Sequence, residues 1–219
     1  GFDGIDTVYC REHGIGVCNI PGYSTQSVAQ LTMAMALSLY THLNEYRDYV
    51  RSGAYTKGGI ANHVAPGWYE LSGKTWGIVG GGNIGGRVAK MAQVMGCRVI
   101  VYRRKPDPDF ETVDLQTLCR ESDIISLHVP LTAQTRGLIG REELALMEKH
   151  PGLINVARGA VTDEEALAEA VKEGKIGGLG VDVYSTEPFG EDHPFASIVD
   201  LPNVCLTPHT AWGAIETRN

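Results

Sequence analysis

The sequence predicts an α/β protein built around a doubly wound parallel sheet. Three observations support this fold class: short apolar runs alternate with helical patterns, several of these runs show no polar alternation, and a glycine-rich turn follows one of them. Strands without alternation are expected where helices cover both faces of a sheet. The 219 residues suffice for one to two domains at roughly 150 residues each.

Composition and charge exclude several classes of protein. The 19 Lys and Arg against 26 Asp and Glu give a formal charge of −7, which argues against a nucleic-acid-binding protein. The longest apolar-leaning run, residues 28–40, is shorter than the roughly 20 residues of a membrane span, and the opening residues lack the apolar core of a secretory signal. The five cysteines show neither a CxxC pair nor a metal-ligand spacing, so we expect reduced thiols, a cytoplasmic location and no metal site.

Seven segments are predicted as strands, and helices lie between them. In chain order these strands are Gly16–Asn19, Thr75–Val79, Arg98–Tyr102, Asp123–Leu127, Gly152–Asn155, Leu179–Asp182 and Asn203–Leu206. The first helix is predicted from Ser24 to Arg51, with Ser24 or Thr25 as its cap and Gly53 closing it. The glycine-rich stretch Ser52–Gly67 has no periodicity and is predicted as a loop.

Two further helices are bounded by specific signals. One runs from Gly82 to Met95 and stops at Gly96. The other begins after TDEE (162–165), which fits a capping box, and covers the segment ALAEAVKEG. Helices between strands are the usual connections of a parallel sheet, so both agree with the predicted fold class.

The turn after the second predicted strand has the GxGxxG spacing of a dinucleotide-binding site. Gly80 allows a tight turn, Gly82 lets the backbone approach a pyrophosphate, and Gly85 lets the helix pack close to the strand. The helix N-terminus supplies backbone N–H groups and the positive end of the helix dipole. The spacing alone is weak, but its strand–turn–helix–strand context favours a Rossmann-type domain over a glycine-rich turn of another α/β fold.

Basic residues follow the next strand, where a site selective for NAD carries an acidic residue for the ribose 2′-hydroxyl. Here the position is Arg103, and Arg104 and Lys105 come next. Arginine can bind a 2′-phosphate through paired hydrogen bonds. We therefore expect NADP(H) as the preferred cofactor, with NAD(H) possible. The alternative is a solvated basic loop beside an NAD site.

Each of the last three predicted strands is followed by a polar side chain: Arg158, Glu187 and His209. Ligands of open α/β sheets bind at the carboxyl ends of strands, so these side chains are expected to converge beside the cofactor. Arg158 is suited to hold a substrate carboxylate, His209 to donate a proton, and Glu187 to favour protonated His209. Taken singly, each has an ordinary alternative: a surface ion pair, loop surface, and a buried structural histidine. His128 also ends a strand.

The ordered motifs of the chain resemble those of the D-isomer-specific 2-hydroxyacid dehydrogenases. The motifs that carry this resemblance are GFDGID (1–6), NIPGYSTQSVAQ (19–30), GKTWGIVGGGNIGGRVA (73–89), HVPLTAQTRGLI (128–139), LINVARGAVTDEEAL (153–167), GLGVDVYSTEP (178–188) and NVCLTPHTAW (203–212). The resemblance implies that Arg158, Glu187 and His209 are the catalytic residues, with His209 as acid and base. Together with the glycine turn and the basic residues, it implies cofactor contacts at Gly80, Gly82, Asn83, Ile84, Gly85, Arg103, Arg104, Pro130, Thr135, Val156, Ala157, Arg158 and Asp182.

Among these contacts, Asn83 and Ile84 match residues beside the pyrophosphate, and Pro130 and Thr135 flank the adenosine. Asp182 matches a residue that contacts the nicotinamide amide. The resemblance also implies two Rossmann-like domains, with the active site in the cleft between them, and a homodimer formed through the cofactor domain.

On this basis the chain divides into three parts. Residues 1–22 are expected to end a flavodoxin-like substrate domain, of which only remnants lie in this sequence. Residues 23–208 are expected to form the dinucleotide-binding domain with its dimerisation helix. Residues 209–219 are expected to begin the return to the substrate domain.

Within the family, the motifs are most similar to those of hydroxypyruvate or glyoxylate reductases (glycerate dehydrogenases). We therefore expect NAD(P)-dependent reduction of a small 2-keto acid to the D-2-hydroxy acid. Three alternatives stay open at this point. They are a phosphoglycerate dehydrogenase-like enzyme, a non-catalytic dinucleotide-sensing protein similar to the corepressors of this fold, and a truncated cofactor domain without activity.

Overall fold

A seven-stranded parallel sheet forms the centre of the computed structural model, which describes residues 4–218. In chain order the strands are β1 (Thr75–Val79), β2 (Arg98–Tyr102), β3 (Glu111–Thr112), β4 (Ile124–Leu127), β5 (Gly152–Asn155), β6 (Gly178–Val181) and β7 (Val204–Leu206). Across the sheet the order is β3-β2-β1-β4-β5-β6-β7. The chain thus winds outward from β1 in one direction and then from β4 in the other, which confirms the predicted doubly wound, Rossmann-type class.

Nine α-helices lie within residues 4–218. They are α1 (Thr7–Glu12), α2 (Thr25–Tyr40), α3 (Leu43–Arg51), α4 (Ala54–Gly58), α5 (Asn83–Val94), α6 (Leu115–Glu121), α7 (Arg141–Ala145), α8 (Glu164–Lys172) and α9 (Ile215–Arg218). Two short 3-10 helices cover Gly159–Val161 and Pro194–Ser197. In the part of the chain that the structure describes, none of the helices has the length and apolar character to cross a membrane.

The hydrophobic core lies on both faces of the sheet. Helices α2 and α5 pack on one face, where they bury Trp76 and Ile78, and α6, α7 and α8 pack on the other. Every residue of β1, β4, β5 and β6 is buried. Coverage on both faces explains why these strands appear in the sequence as uninterrupted apolar runs.

Six of the seven predicted strands are present, each within one residue of its predicted bounds, and the predicted helix at Gly82–Met95 is α5. The strand predicted at Gly16–Asn19 is wrong. That segment has no regular structure, and no described strand lies beside it to complete a ladder. The pattern does not predict β3, whose two residues are too few to show a periodicity.

The single helix predicted from Ser24 to Arg51 is wrong, because the structure divides it into α2 and α3. The hydroxyl of Thr41 donates to Leu37 O at 2.7 Å, a local bond that competes with helix propagation. His42 then lies in the left-handed region with a φ of 50°, which ends the helix. Ser24 is the N-cap of α2, although its side chain makes no capping hydrogen bond.

Two other local expectations need correction. The loop predicted at Ser52–Gly67 contains the short helix α4. The capping box predicted at 162–165 does not form, because the N-cap of α8 is Asp163, which accepts a hydrogen bond from Ala166 N at 3.0 Å. The hydroxyl of Thr162 instead donates to Gly159 O at 3.0 Å. With Asp163 as N-cap, the third helical residue is Ala166, which has no carboxylate to complete a box.

Candidate active site

The glycine-rich turn lies at the carboxyl edge of the sheet, between β1 and α5. Gly80 has a φ of 103°, and a Cβ there would lie 2.9 Å from the carbonyl carbon of His128. A Cβ on Gly85 would lie 2.0 Å from Gly80 O, so α5 packs directly on the turn. At Gly82, by contrast, nothing lies within 4 Å of that position. The turn is closed toward the sheet and open at Gly82, which is the shape that a pyrophosphate needs.

A cavity of about 420 Å³ opens beside this turn. Residues 18–25, the start of α5 and His128 form its walls. The side-chain amide of Asn83 lies against Gly22, where a Cβ would be 3.6 Å from Asn83 Nδ2. Sequence reasoning identified Asn83 and Ile84 but missed the wall at residues 18–25, because this segment has no periodicity and its signal is only the glycine-containing motif NIPGYST.

His128 directly follows β4 and brings a buried polar atom to this region. The Trp76 indole N–H donates to Ser126 Oγ at 2.9 Å, and Ser126 Oγ lies 2.9 Å from His128 Nε2. Because an indole can only donate, Ser126 Oγ accepts from Trp76, and its second hydrogen bond joins it to His128 Nε2. Among the contacts of residues 4–218, His128 Nδ1 is buried without a hydrogen-bond partner. Burial lowers the pKa of His128 to about 3, so the ring is neutral.

These features fit a nicotinamide dinucleotide. Gly82 gives an open approach, and the twelve-residue helix α5 gives an N-terminus with backbone N–H donors. His128 gives a buried ring nitrogen that has no hydrogen-bond partner among residues 4–218. The ligand that such a site accepts carries several acceptor oxygens and negative charge, as the pyrophosphate and ribose groups of a dinucleotide do.

Arg103 lies over the same turn and directly follows β2. A Cβ on Gly81 would lie 3.1 Å from Arg103 Cδ, so the arginine stem crosses the turn. Its guanidinium forms an ion pair with Asp107, whose side chain is 9% exposed against 31% for Arg103. Arg104 is exposed. The structure therefore places Arg103 beside the predicted cofactor site and gives it an acidic partner that the sequence interpretation did not include.

The other predicted cofactor contacts lie on two turns at this edge. The Thr135 hydroxyl donates to Pro130 O at 2.6 Å and closes the turn that follows β4. Val156 and Ala157 are buried just after β5. Asn155, missed by sequence reasoning, holds their turn by accepting a hydrogen bond from Ala157 N at 3.0 Å.

Glu187 and His209 form the central hydrogen bond of the predicted catalytic trio. Glu187 Oε2 lies 2.6 Å from His209 Nδ1. The other oxygen of Glu187 accepts from Tyr184 N at 2.8 Å, so the carboxylate is held in one orientation. The side chains of Glu187 and His209 are 34% and 38% exposed. With Nδ1 engaged by the carboxylate, Nε2 is the nitrogen available to exchange a proton with a ligand.

The backbone of His209 lies in the left-handed region, with a φ of 50° that few residues with a side chain adopt. The fully buried carboxylate of Asp182 holds this turn on both sides. Its Oδ1 accepts from Thr207 Oγ1 at 2.6 Å and from Thr210 N at 2.9 Å, and its Oδ2 accepts from Ala211 N at 2.9 Å. Both oxygens of Asp182 are therefore used in fixing the segment that carries His209.

Arg158 reaches the same region from β5. Asn155 Nδ2 donates to Arg158 O at 3.0 Å and fixes the turn. The next residue is Gly159, where a Cβ would lie 2.2 Å from Ser185 N. The Arg158 turn thus packs directly on the backbone that leads to Glu187, and the structure brings these two motifs together.

A larger cavity of about 840 Å³ adjoins the Glu187–His209 pair. Polar residues of α3 also line this cavity: Asn44, Glu45, Arg47 and Asp48. Sequence reasoning missed them, because the approach of α3 depends on the break at His42. Within the described ranges, no three His, Cys, Asp or Glu side chains are grouped as a metal site requires.

Comparison with known proteins identifies relatives over the whole chain. A family model described as D-isomer specific 2-hydroxyacid dehydrogenase, NAD binding domain, matches residues 33–211. The chain is 42% identical to the glyoxylate reductase of Thermococcus litoralis, covering 100% of this chain and 67% of that protein. It is also 42% identical to the hydroxypyruvate reductase of Thermotoga maritima, covering 100% and 70%.

Solved structures give the same result. The D-lactate dehydrogenase from Aquifex aeolicus, complexed with NAD and lactic acid, has a TM-score of 0.90 and 36% identity, covering 100% of this chain and 69% of that chain. The chain thus spans about two thirds of the length of the relatives that it matches.

Proposed function

We propose, from the premise that this chain belongs to the D-isomer-specific 2-hydroxyacid dehydrogenase family, that it carries the cofactor site and catalytic side chains of a reductase for small 2-keto acids. Hydroxypyruvate and glyoxylate are the proposed substrates, in line with the names of the similar proteins, and the product is the D-2-hydroxy acid. The observation that carries the proposal is the 2.6 Å hydrogen bond between Glu187 and His209, at the same sheet edge as Arg158 and the glycine turn.

The proposed chemistry divides among three side chains. A nicotinamide dinucleotide, when bound, supplies the hydride for the carbonyl carbon or accepts it in the reverse direction. Arg158 binds the substrate carboxylate and polarises the carbonyl group. His209 donates the proton that the carbonyl oxygen takes up, and removes it in the reverse direction. Glu187 accepts the hydrogen bond from His209 Nδ1 and stabilises the imidazolium before the proton is transferred.

NADP(H) is the proposed preferred cofactor, with NAD(H) as the alternative. The support is the position of Arg103 over the glycine turn, where an acidic residue would favour NAD. A 2′-phosphate must compete with Asp107 for the guanidinium, so the strength of the preference depends on this ion pair. Further proposed contacts to the dinucleotide are Gly82, Asn83, Ile84, Arg104, Pro130, Thr135, Val156 and Ala157.

Asp182 is proposed to act mainly on His209. The family resemblance places it at the nicotinamide amide, but its buried oxygens already accept three hydrogen bonds from residues 207–211. A carboxylate so engaged fixes the turn of His209 whether or not it also touches the cofactor.

A homodimer is proposed from an exposed apolar surface, here called the arm, which consists of α3, α4 and residues 59–69. Five apolar side chains of the arm are each more than half exposed: Leu43, Val50, Ile60, Val64 and Trp68. A contiguous exposed apolar patch is typical of interaction surfaces, and these five side chains are proposed to form one. A reducing compartment such as the cytoplasm fits the five free cysteines.

The proposed function is tested by mixing the purified chain with hydroxypyruvate or glyoxylate and following the oxidation of NADPH and NADH separately. Turnover that prefers NADPH is expected. Turnover that prefers NADH contradicts the cofactor preference and leaves the reaction intact. Binding of either dinucleotide without turnover of either acid contradicts the catalytic proposal and favours a binding role for this chain.

A further inference from the structure

A second carboxylate–imidazole pair, Glu164 and His193, is buried next to the segment that leads to Glu187 of the Glu187–His209 pair. Glu164, the first residue of α8, and His193, just before the 3-10 helix Pro194–Ser197, have side chains only 8% and 7% exposed. Their Oε2 and Nε2 atoms are 3.1 Å apart. His193 Nδ1 accepts a hydrogen bond from Phe195 N at 3.1 Å, so the imidazole proton is on Nε2 and points to Glu164.

Glu164 also holds the backbone next to Glu187. Its Oε1 accepts from Ser185 N at 2.9 Å, and its Oε2 accepts from the Ser185 hydroxyl. Tyr184, the preceding residue, donates its N–H to Glu187 Oε1. A continuous series of hydrogen bonds and peptide links therefore joins His193 and Glu164 to the carboxylate that faces His209.

The ring of Tyr184 strengthens this connection by packing against the same buried group. Its centroid lies 4.7 Å from that of Phe189, 6.1 Å from that of His193 and 6.2 Å from that of Phe195. Its hydroxyl donates to Thr207 O at 2.8 Å, two residues before His209. Tyr184 is thus fixed both to Glu187 and to the segment that carries His209.

We propose that Glu164 is a positioning residue that holds the Tyr184–Glu187 turn in the orientation in which Glu187 meets His209; the inference rests on the proposed function. An exposed carboxylate–imidazole pair is weak by itself, because two mobile side chains lose conformational freedom when they pair. A buried carboxylate with three donors fixes one of the two partners in advance, and such preorganisation is what a proton-transfer site needs.

The inference is tested by proton NMR of this chain, which requires no turnover. The His209 Nδ1–H that is bonded to Glu187 should give a far-downfield imidazole resonance, assigned by its loss in His209→Gln. In Glu164→Gln a carboxamide replaces an acceptor of three donors, so the resonance should move upfield or broaden through exchange with water. An unchanged resonance in Glu164→Gln, or its absence from the wild-type spectrum, overturns the inference.

Two further variants separate positioning from general destabilisation. Ser197→Ala removes the acceptor of a 2.7 Å hydrogen bond from Lys172 Nζ, also between α8 and this 3-10 helix, but it does not touch Ser185. It should leave the resonance in place. Ser185→Ala removes one of the three donors and should shift the resonance less than Glu164→Gln does. If Glu164→Gln does not fold, Ser185→Ala decides: no shift in this variant overturns the inference.

Kinetics then distinguish this inference from the proposed function. If the wild type reduces hydroxypyruvate, Glu164→Gln should lower kcat by about 10- to 100-fold with KM within about threefold, because the proton donor is misaligned while carboxylate binding at Arg158 persists. Ser197→Ala should keep the wild-type kcat. A resonance that responds to Glu164→Gln in a chain without turnover contradicts the proposed function and supports the positioning role.

Discussion

His209 combines a strained backbone with an anchored side chain. Left-handed backbone at a non-glycine residue costs about 1–3 kcal/mol and persists only where the surroundings enforce it. Here the enforcing group is Asp182, which binds the N–H groups of Thr210 and Ala211. The imidazole is held separately, by Glu187. Both observations are those expected of a residue whose position matters for a reaction.

Removing the imidazole of His209 should therefore lower the rate of turnover without changing the affinity for the cofactor. In His209→Ala we expect kcat to fall by about 10²- to 10⁴-fold, because the proton donor is lost, with the Kd of the cofactor unchanged. Steady-state kinetics and cofactor fluorescence titration measure the two quantities. Retained turnover in this variant would reject the acid–base assignment.

Substitutions at Arg103 and at Asp107 should change the Kd for NADPH in opposite directions, which tests the proposed cofactor preference. In Arg103→Ala the Kd for NADPH should rise by about 10- to 100-fold and that for NADH by less than about threefold, because only NADPH loses a charge-assisted contact. In Asp107→Asn the freed guanidinium should bind NADPH more tightly than in the wild type.

Arg120→Ala, at an exposed position of α6 that is not among the proposed cofactor contacts, is the control for loss of charge alone. Titration of each variant with both dinucleotides supplies the measurement. Equal losses for NADPH and NADH in Arg103→Ala would show that this residue does not contact the 2′-phosphate.

His128 should make stability depend on pH. The unfolded chain binds this proton near the ordinary pKa of 6.5, and the folded protein only near pH 3. Between these values the unfolded state holds more protons, so stability is fully present above about pH 6.5 and is lost as pH falls toward 3, by at most about 1.4 kcal/mol per pH unit.

The variant His128→Gln supplies both a donor and an acceptor for the hydrogen bond with Ser126 but cannot titrate. Urea unfolding from about pH 7 to about pH 4 should therefore give a shallower decline of the free energy of unfolding in the variant than in the wild type. Equal slopes would mean that His128 is not protonated differently in the two states.

At the scale of elements, the contact between α5 and the glycine turn decides whether the dinucleotide site forms. Alanine substitutions at the adjacent residues Gly85 and Gly86 of α5 distinguish the effect of packing from that of helix propensity. A Cβ on Gly85 would meet Gly80 O at 2.0 Å, whereas a Cβ on Gly86 would have nothing within 4 Å.

We therefore expect Gly85→Ala to lower the free energy of unfolding by about 1–3 kcal/mol, because the helix must move away from the turn. Gly86→Ala should raise it by about 0.5–1 kcal/mol, because alanine favours the helix. Denaturant titration of both variants measures the difference, and a stable Gly85→Ala variant that still binds dinucleotide contradicts the packing argument.

At the scale of the whole molecule, the arm carries the exposed apolar side chains on which the dimer proposal rests. If two copies pair through it, a buried charge should separate them. Val50→Glu and Ile60→Glu should each shift the sedimentation equilibrium toward monomer. Val94→Glu, at an apolar position of α5 that is 89% exposed and lies outside the arm, should not. A monomeric wild type removes the basis of the dimer proposal.

The sequence by itself determined the parallel sheet and the glycine turn, and it supplied the three side chains of the proposed catalytic trio. Each of these depends on a contiguous stretch: β1 and β4 are buried apolar runs, the turn is Gly80–Gly85, and His209 lies within a single motif. Local sterics and burial on both faces of a sheet leave a direct signal in adjacent residues, so a pattern suffices to predict them.

The tertiary structure alone decided what surrounds these residues. Glu164 meets Ser185 and His193 across 21 and 29 residues of sequence, because α8 and the segment after β6 fold onto one another. The predicted long helix breaks at His42 because this one residue has a left-handed backbone. The spacing of apolar residues gives no information about such a single backbone angle. Contacts between residues so far apart in sequence form only after the sheet has brought the carboxyl ends of its strands together. Their free energy depends on that folding, so it leaves no signal in the pattern of neighbouring residues.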